Sequence, residues 1–138
     1  MRGLLVDPIK ELLHLYADAV CRQDVDQWIN TWSMSGVWDL GHGEPVSGKE
    51  SLKPFWLSSM SRFETVVHTY STNIADLDAD SGTGSGRAYV TEWLKPKEGD
   101  SLVLHGFYDD SYVFEEGSWL FSKRLLNRIY MGKADFSS

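Results

Sequence analysis

Residues 102–114, Leu-Val-Leu-His-Gly-Phe-Tyr-Asp-Asp-Ser-Tyr-Val-Phe, decide the fold. The stretch is rich in Val, Tyr and Phe, lacks Pro, and is too long for an ordinary short edge strand, so it predicts a long β-strand. Three neighbours share that character: Phe63 to Ile74, Gly86 to Leu94, and Ser118 to Tyr130. The connections are Asp-Leu-Asp-Ala-Asp-Ser-Gly-Thr-Gly-Ser-Gly (76–86), Lys-Pro-Lys-Glu-Gly-Asp (95–100) and Glu-Glu-Gly (115–117). Four successive strands joined by such turns predict an antiparallel meander. The first connection has the composition of a calcium loop but lacks the acidic ligand at its twelfth position, and reads as a flexible hairpin loop.

Upstream the period changes from strand to helix. From Asp7 to Arg22 the apolar residues Ile9, Leu12, Leu13, Tyr16, Ala19 and Val20 recur at helical spacing, with Asp7 as N-cap and Pro8 in the first turn. Asp24-Val-Asp-Gln opens a short second helix through Trp28, Ile29 and Trp32, with Gln27 in the capping-box position. Ser35 to Leu40 reads as a short strand before the loop Gly-His-Gly-Glu-Pro. Ser47 to Leu57 reads as a third helix, kinked or started late by Pro54. Helices followed by a long sheet make an α+β fold: a cone-like α+β barrel, with the N-terminal helices packed in a strongly curved antiparallel sheet. Residues 1–138 form one domain in this reading, as their number allows.

Composition limits what such a domain does. A net charge of −7, with Lys and Arg scattered apart from Lys123, Arg124 and Arg128, argues against nucleic acid. No apolar run is long enough to cross a membrane, and the opening Met-Arg-Gly-Leu-Leu-Val-Asp is too short for a signal-peptide core, so a cytoplasmic protein is expected. Cys21 stands alone, which excludes an intrachain disulfide and a cysteine metal cluster, and reads as a small buried hydrophobe. Six tryptophans, six tyrosines and six phenylalanines are more aromatic area than packing alone asks of so small a domain. Either the core is aromatic or something flat binds inside it.

A resemblance spans almost the whole chain. It is carried by Leu15-Tyr-Ala-Asp-Ala-Val with Asp24-Val-Asp-Gln-Trp, then Gly36-Val-Trp, Val46-Ser-Gly-Lys-Glu, Val67-His-Thr-Tyr-Ser-Thr-Asn, Gly106-Phe-Tyr-Asp-Asp-Ser-Tyr and Gly117-Ser-Trp-Leu-Phe-Ser-Lys. Their order and spacing resemble the SnoaL-like branch of the nuclear transport factor 2-like superfamily, most closely its scytalone dehydratase and hexachlorocyclohexane dehydrochlorinase relatives. The resemblance implies an enzyme that works without cofactor or metal, catalysing eliminations, isomerisations or cyclisations inside the cone. It also implies a homodimer or homotrimer, and a catalytic strand histidine paired with a helix aspartate.

His68 matches the histidine. On residue chemistry alone it is either a base that titrates near neutral pH or a histidine satisfied within the core. The position that the resemblance gives to the aspartate is Cys21. Two other carboxylates are candidates for the pairing: Asp24, which also reads as a helix N-cap, and Asp110. On the strand 102–114, Leu104, Gly106, Tyr108, Asp110 and Tyr112 share one face while His105, Phe107 and Asp109 share the other. The first set facing inward would bring Tyr108 and Asp110 to the cavity; the second would bring His105. Further candidates for the lining are Tyr16, Cys21 and Asn73, with Trp32, Trp38, Trp56 and Trp93 as walls or plain core. Lys123 stands where some dehydrochlorinase-like relatives keep a cation near the leaving group, or is an exposed strand residue. The expected function is a lyase or isomerase acting on a small, apolar, ring-containing compound such as a polyketide. In it His68 removes a proton while Tyr108 or Tyr16 donates a hydrogen bond to the developing charge. The alternative is a small-molecule-binding or assembly module of the same fold.

Overall fold

The structure is a computed structural model that describes residues 7–135. The residues 1–6 read above as too short for a signal core, and the last three of the tail, lie outside the described residues. Helix α1 spans Pro8–Arg22. The Asp7 carboxylate accepts from the N–H groups of Ile9 (3.0 Å) and Lys10 (3.2 Å), and Gln23 closes the helix in the left-handed region at φ 54°. The six apolar residues of its stripe are all buried.

Helix α2 is shorter than its sequence suggests, Val25–Ile29, because Thr31 turns back and donates its hydroxyl to the Trp28 carbonyl at 2.6 Å. Trp32 therefore opens strand β1, Trp32–Asp39, instead of ending the helix. Asp24 caps α2 through the Gln27 N–H (3.1 Å). The capping box is not closed: the Gln27 amide reaches to Leu15 O and Asp18 Oδ2, both at 2.9 Å. Strand β2 is the pair Val46–Ser47, and α3 runs Lys49–Met60 straight through Pro54.

Four long strands follow: β3 Phe63–Asp78, β4 Thr83–Pro96, β5 Leu102–Glu115 and β6 Ser118–Lys133. They pair consecutively and antiparallel, as the meander requires. The expected long loop 76–86 is mostly strand, reduced to a turn in which Asp78 Oδ1 accepts from the N–H groups of Asp80 and Ser81. Its glycines have a packing reason. A side chain at Gly84 would strike Leu77 and Asp76, and one at Gly86 would strike the Ile74 carbonyl and the Tyr112 hydroxyl.

The sheet order is β2-β1-β6-β5-β4-β3, and the β1–β6 pairing is parallel, where the sequence suggested antiparallel pairing throughout. Register shifts near Ser71, Gly106 and Ser122 bend the long strands around α1. Three helices thus pack against a six-stranded sheet in a cone. Among the described residues no helix is long and apolar enough to cross a membrane.

Candidate active site

The inner face of the cone is read off the strand alternation. On β4, Ala88, Val90 and Leu94 are buried against the helices, and Glu92 occupies the same face between them. On β3, Val66, His68 and Tyr70 point the same way. His68 and Glu92 are direct cross-strand partners in the register, which brings Nδ1 of the imidazole to 2.7 Å from the Glu92 carboxylate. The His68 side chain is 1% exposed and that of Glu92 22%, so the pair runs from the interior toward the rim.

An ionised carboxylate only accepts, so the proton of a neutral His68 ring lies on Nδ1, and Nε2 is left with its lone pair. Nε2 is buried and has no hydrogen-bond partner. Two phenol rings flank the imidazole, Tyr16 at 5.4 Å and Tyr70 edge-on at 4.8 Å between centroids. Cys21, expected as a buried hydrophobe, is instead exposed near the end of α1, beside the sheet's edge strand. Its sulfur accepts from the His68 backbone N–H at 3.2 Å, so the helix holds the strand and not the ring.

Deeper in the cone lies a buried ion pair. Arg124 Nε and Nη2 meet the two oxygens of Asp110 at 2.7 and 3.1 Å, and Nη1 donates to the Tyr70 hydroxyl at 2.8 Å. The guanidinium carbon lies 3.9 Å from the ring centre of Tyr108, 4.1 Å from Phe121 and 4.5 Å from Tyr16. Burial pushes the Asp110 carboxyl above the usual carboxylate range, and Arg124 opposes that only in part. Burial pulls the guanidinium down, but Asp110 with the phenols of Tyr70 and Tyr16 more than offsets it, holding Arg124 well above its ordinary value. Burial also holds the phenols of Tyr70 and Tyr108 well above theirs.

The other residues singled out in the sequence are spread over the fold. Tyr16, Trp32, Trp38 and Tyr108 are buried in the interior, where the Trp38 indole N–H donates to the Tyr108 hydroxyl at 3.4 Å, and Trp28 stacks on Trp56 at 4.8 Å. Asn73 is half-buried on the inner face toward the start of α1, in a shallow concavity with Lys10, Leu13 and His14. His105, Trp93 and Lys123 lie on the outer side: His105 meets the Thr91 hydroxyl at 3.0 Å, and Trp93 is 39% exposed. Asp24 is engaged by Gln27 and by Arg22, 3.0 Å away, at the corner of the helices, and Asp110 by Arg124. Neither carboxylate is the partner of His68.

Glu92, Tyr70 and Arg124 were not singled out from the sequence. Glu92 carried a signal, an acid in register with Ala88, Val90 and Leu94 at period two. Arg124 carried a misleading one. Alternation from Phe121 points Lys123 inward, but the register shift at Ser122 turns Lys123 out and Arg124 in.

Two open concavities, of about 600 and 640 Å³, lie elsewhere. One is on the outer face beside Arg87, Asp109 and Lys123, the other between the helices and the β5–β6 turn beside Leu15, Phe114 and Trp119; His68 and Glu92 line neither. Among the described residues no group of three His, Cys, Asp or Glu side chains is placed to hold a metal ion.

A curled sheet closed over helices, with a buried histidine on its inner face, is the architecture of the nuclear transport factor 2-like cone. The SnoaL-like domain model matches residues 4–125, and the chain belongs to that family. Among solved structures it superposes on a candidate scytalone dehydratase from Novosphingobium aromaticivorans with a TM-score of 0.84 at 17% identity, covering 95% of this chain and 88% of that one. A type 2 hexachlorocyclohexane dehydrochlorinase superposes equally well, TM-score 0.84 at 16% identity over 94% and 88% of the two chains. The type 3 dehydrochlorinase of Novosphingobium barchaimii gives 0.82 at 17% identity over 94% and 90%. Identities this low establish shared fold and nothing finer. No curated protein gave a significant sequence match.

Proposed function

We propose that this protein is a lyase or isomerase of the elimination, dehydration or cyclisation type, acting without a cofactor on a small, apolar, ring-containing substrate. The observation that carries the reading is the His68 imidazole: enclosed in the cone, tied at Nδ1 to Glu92, and bare at Nε2. In a site shielded from water such a nitrogen takes a proton from carbon adjacent to an electron-withdrawing group. The aromatic rings packed around His68, Tyr16 and Tyr70, suit a flat, neutral substrate, because the Arg124 guanidinium nearby is already matched by Asp110. The dehydratase and dehydrochlorinase neighbours support the reaction class through their fold. A screen of dehydration and isomerisation on aromatic and polyketide-like compounds, run on the parent and on His68→Ala, tests it. Turnover present in the parent and lost in the variant is expected; equal rates remove His68 as the base.

The second reading is a binding or assembly module. It is favoured by the dense packing of Trp28, Trp32, Trp56 and Phe121, and by the two open concavities, which bypass His68. Such a module would bind cyclic ligands without turnover. On either reading we place self-association on the outer sheet face, where Val67, Ile129 and Tyr130 are exposed. Light scattering is expected to give a dimer or trimer, and Ile129→Glu a monomer.

A further inference from the structure

We infer that Glu92 is the positioning residue that makes His68 competent as a base, so that the dyad lies within the sheet, across β3 and β4, and draws nothing from the helices. The inference rests on the base role proposed above for His68 and goes on to say what sets that base in place.

Four observations carry it. The His68–Glu92 contact is fixed by the strand register and not by a loop, and at 2.7 Å it is a short, charge-assisted contact. The competing carboxylates are committed: both oxygens of Asp110 face Arg124, and Asp24 serves the α2 N-terminus and Arg22. Of the α1 residues that meet His68, Cys21 is bound to its backbone and Tyr16 packs on the ring without a hydrogen bond to it. The last is the orphaned nitrogen itself. With Nδ1–H given to Glu92, the unpaired buried atom is Nε2, the one that carries a lone pair into the interior. A histidine in the opposite tautomer would present an N–H there and could not accept a proton at Nε2. Glu92 thus selects the useful tautomer, and its negative charge steadies the imidazolium that forms when Nε2 takes a proton.

Glu92 is 22% exposed, and Glu92→Gln keeps nearly its volume, which makes the test practical. The probe is nitrobenzisoxazole: a base removes its ring C–H proton, the N–O bond breaks, and a coloured cyanophenolate leaves. Turnover is read alongside the ring-nitrogen NMR spectrum of His68, assigned by difference from His68→Ala, with circular dichroism to check folding. Glu92→Gln is expected to keep the Nδ1–H tautomer, because the amide oxygen still accepts, yet lose about tenfold in kcat at unchanged KM through the missing charge. Glu92→Ala is expected to lose more, to show a mixture of tautomers, and to regain part of its rate with added formate, which does nothing for His68→Ala.

A Glu92→Ala protein with parental turnover and an unmixed Nδ1–H tautomer, beside an inactive His68→Ala, overturns the role of Glu92 and leaves the base reading standing. Parental turnover in His68→Ala overturns the base reading instead. If the parent itself leaves the probe untouched, the base reading fails on this carbon acid, and the tautomer comparison between parent and Glu92→Ala still decides whether Glu92 positions the ring.

Discussion

At the scale of single residues, the interior contains two histidine- or arginine-centred pairs with different duties. His68–Glu92 opens toward the rim, whereas Arg124–Asp110 is sealed, both side chains being 0% exposed. Removing one partner of a sealed pair leaves a bare charge in an apolar cage. Asp110→Leu is therefore expected to cost about 3–5 kcal/mol in urea unfolding, while replacing Asp110 and Arg124 together by apolar residues of similar volume costs much less. Equal losses in the single and double variants would contradict that account. The sequence showed Asp110 and Tyr108 on one face of β5 but could not say which face looks inward, since that depends on the bulges. The same bulges hid Arg124 behind Lys123. Glu92 was missed because an acid in a strand is ordinarily a solvated residue, and only the pairing register with β3 reveals what lies opposite.

At the scale of elements, the helix signals were local and therefore legible. Asp7, Pro8 and the apolar stripe specify α1 without help from the rest of the chain, and Asp7→Ala is expected to cost about 1 kcal/mol through its lost N-cap, measured by urea unfolding. The end of α2 was less so, because Trp32 continues a helical pattern but is drawn into β1 opposite Phe121 of β6. The β3–β4 hairpin shows the limit of composition. Asp, Ser and Gly read as loop, yet Gly84 and Gly86 lie in strand because the neighbouring strand leaves no room for a side chain. Gly86→Val is accordingly expected to destabilise the protein by about 1–3 kcal/mol, because its side chain would meet the Ile74 carbonyl and the Tyr112 hydroxyl. Unchanged thermal unfolding would sink this explanation of the glycine.

At the scale of the whole molecule, element order was enough to foresee a meander wrapped on helices, since each of those pairings joins strands adjacent in the chain. The parallel closure of β1 on β6 joins the two ends of the fold, and nothing local encodes it. The enclosed interior has a consequence for alkaline stability. Burial raises the phenols of Tyr16, Tyr70, Tyr108 and Tyr112 above the ordinary value of 10.0, so the folded state retains protons that the unfolded chain gives up. The stabilisation is complete below pH 10.0 and declines as the pH rises beyond it. Phenolate absorbance from these four side chains is expected to appear only together with the loss of near-ultraviolet circular dichroism. Ionisation ahead of unfolding would show that the interior is wetter than described.

The claim on which the functional account depends is that the cone admits a small flat molecule to the bare nitrogen of His68. The most direct measurement is the ring-opening rate of nitrobenzisoxazole by the parent, set against His68→Ala at equal concentration and confirmed fold. Saturable turnover is expected of the parent, with a rate for His68→Ala indistinguishable from buffer. Equal rates for the two proteins would contradict it.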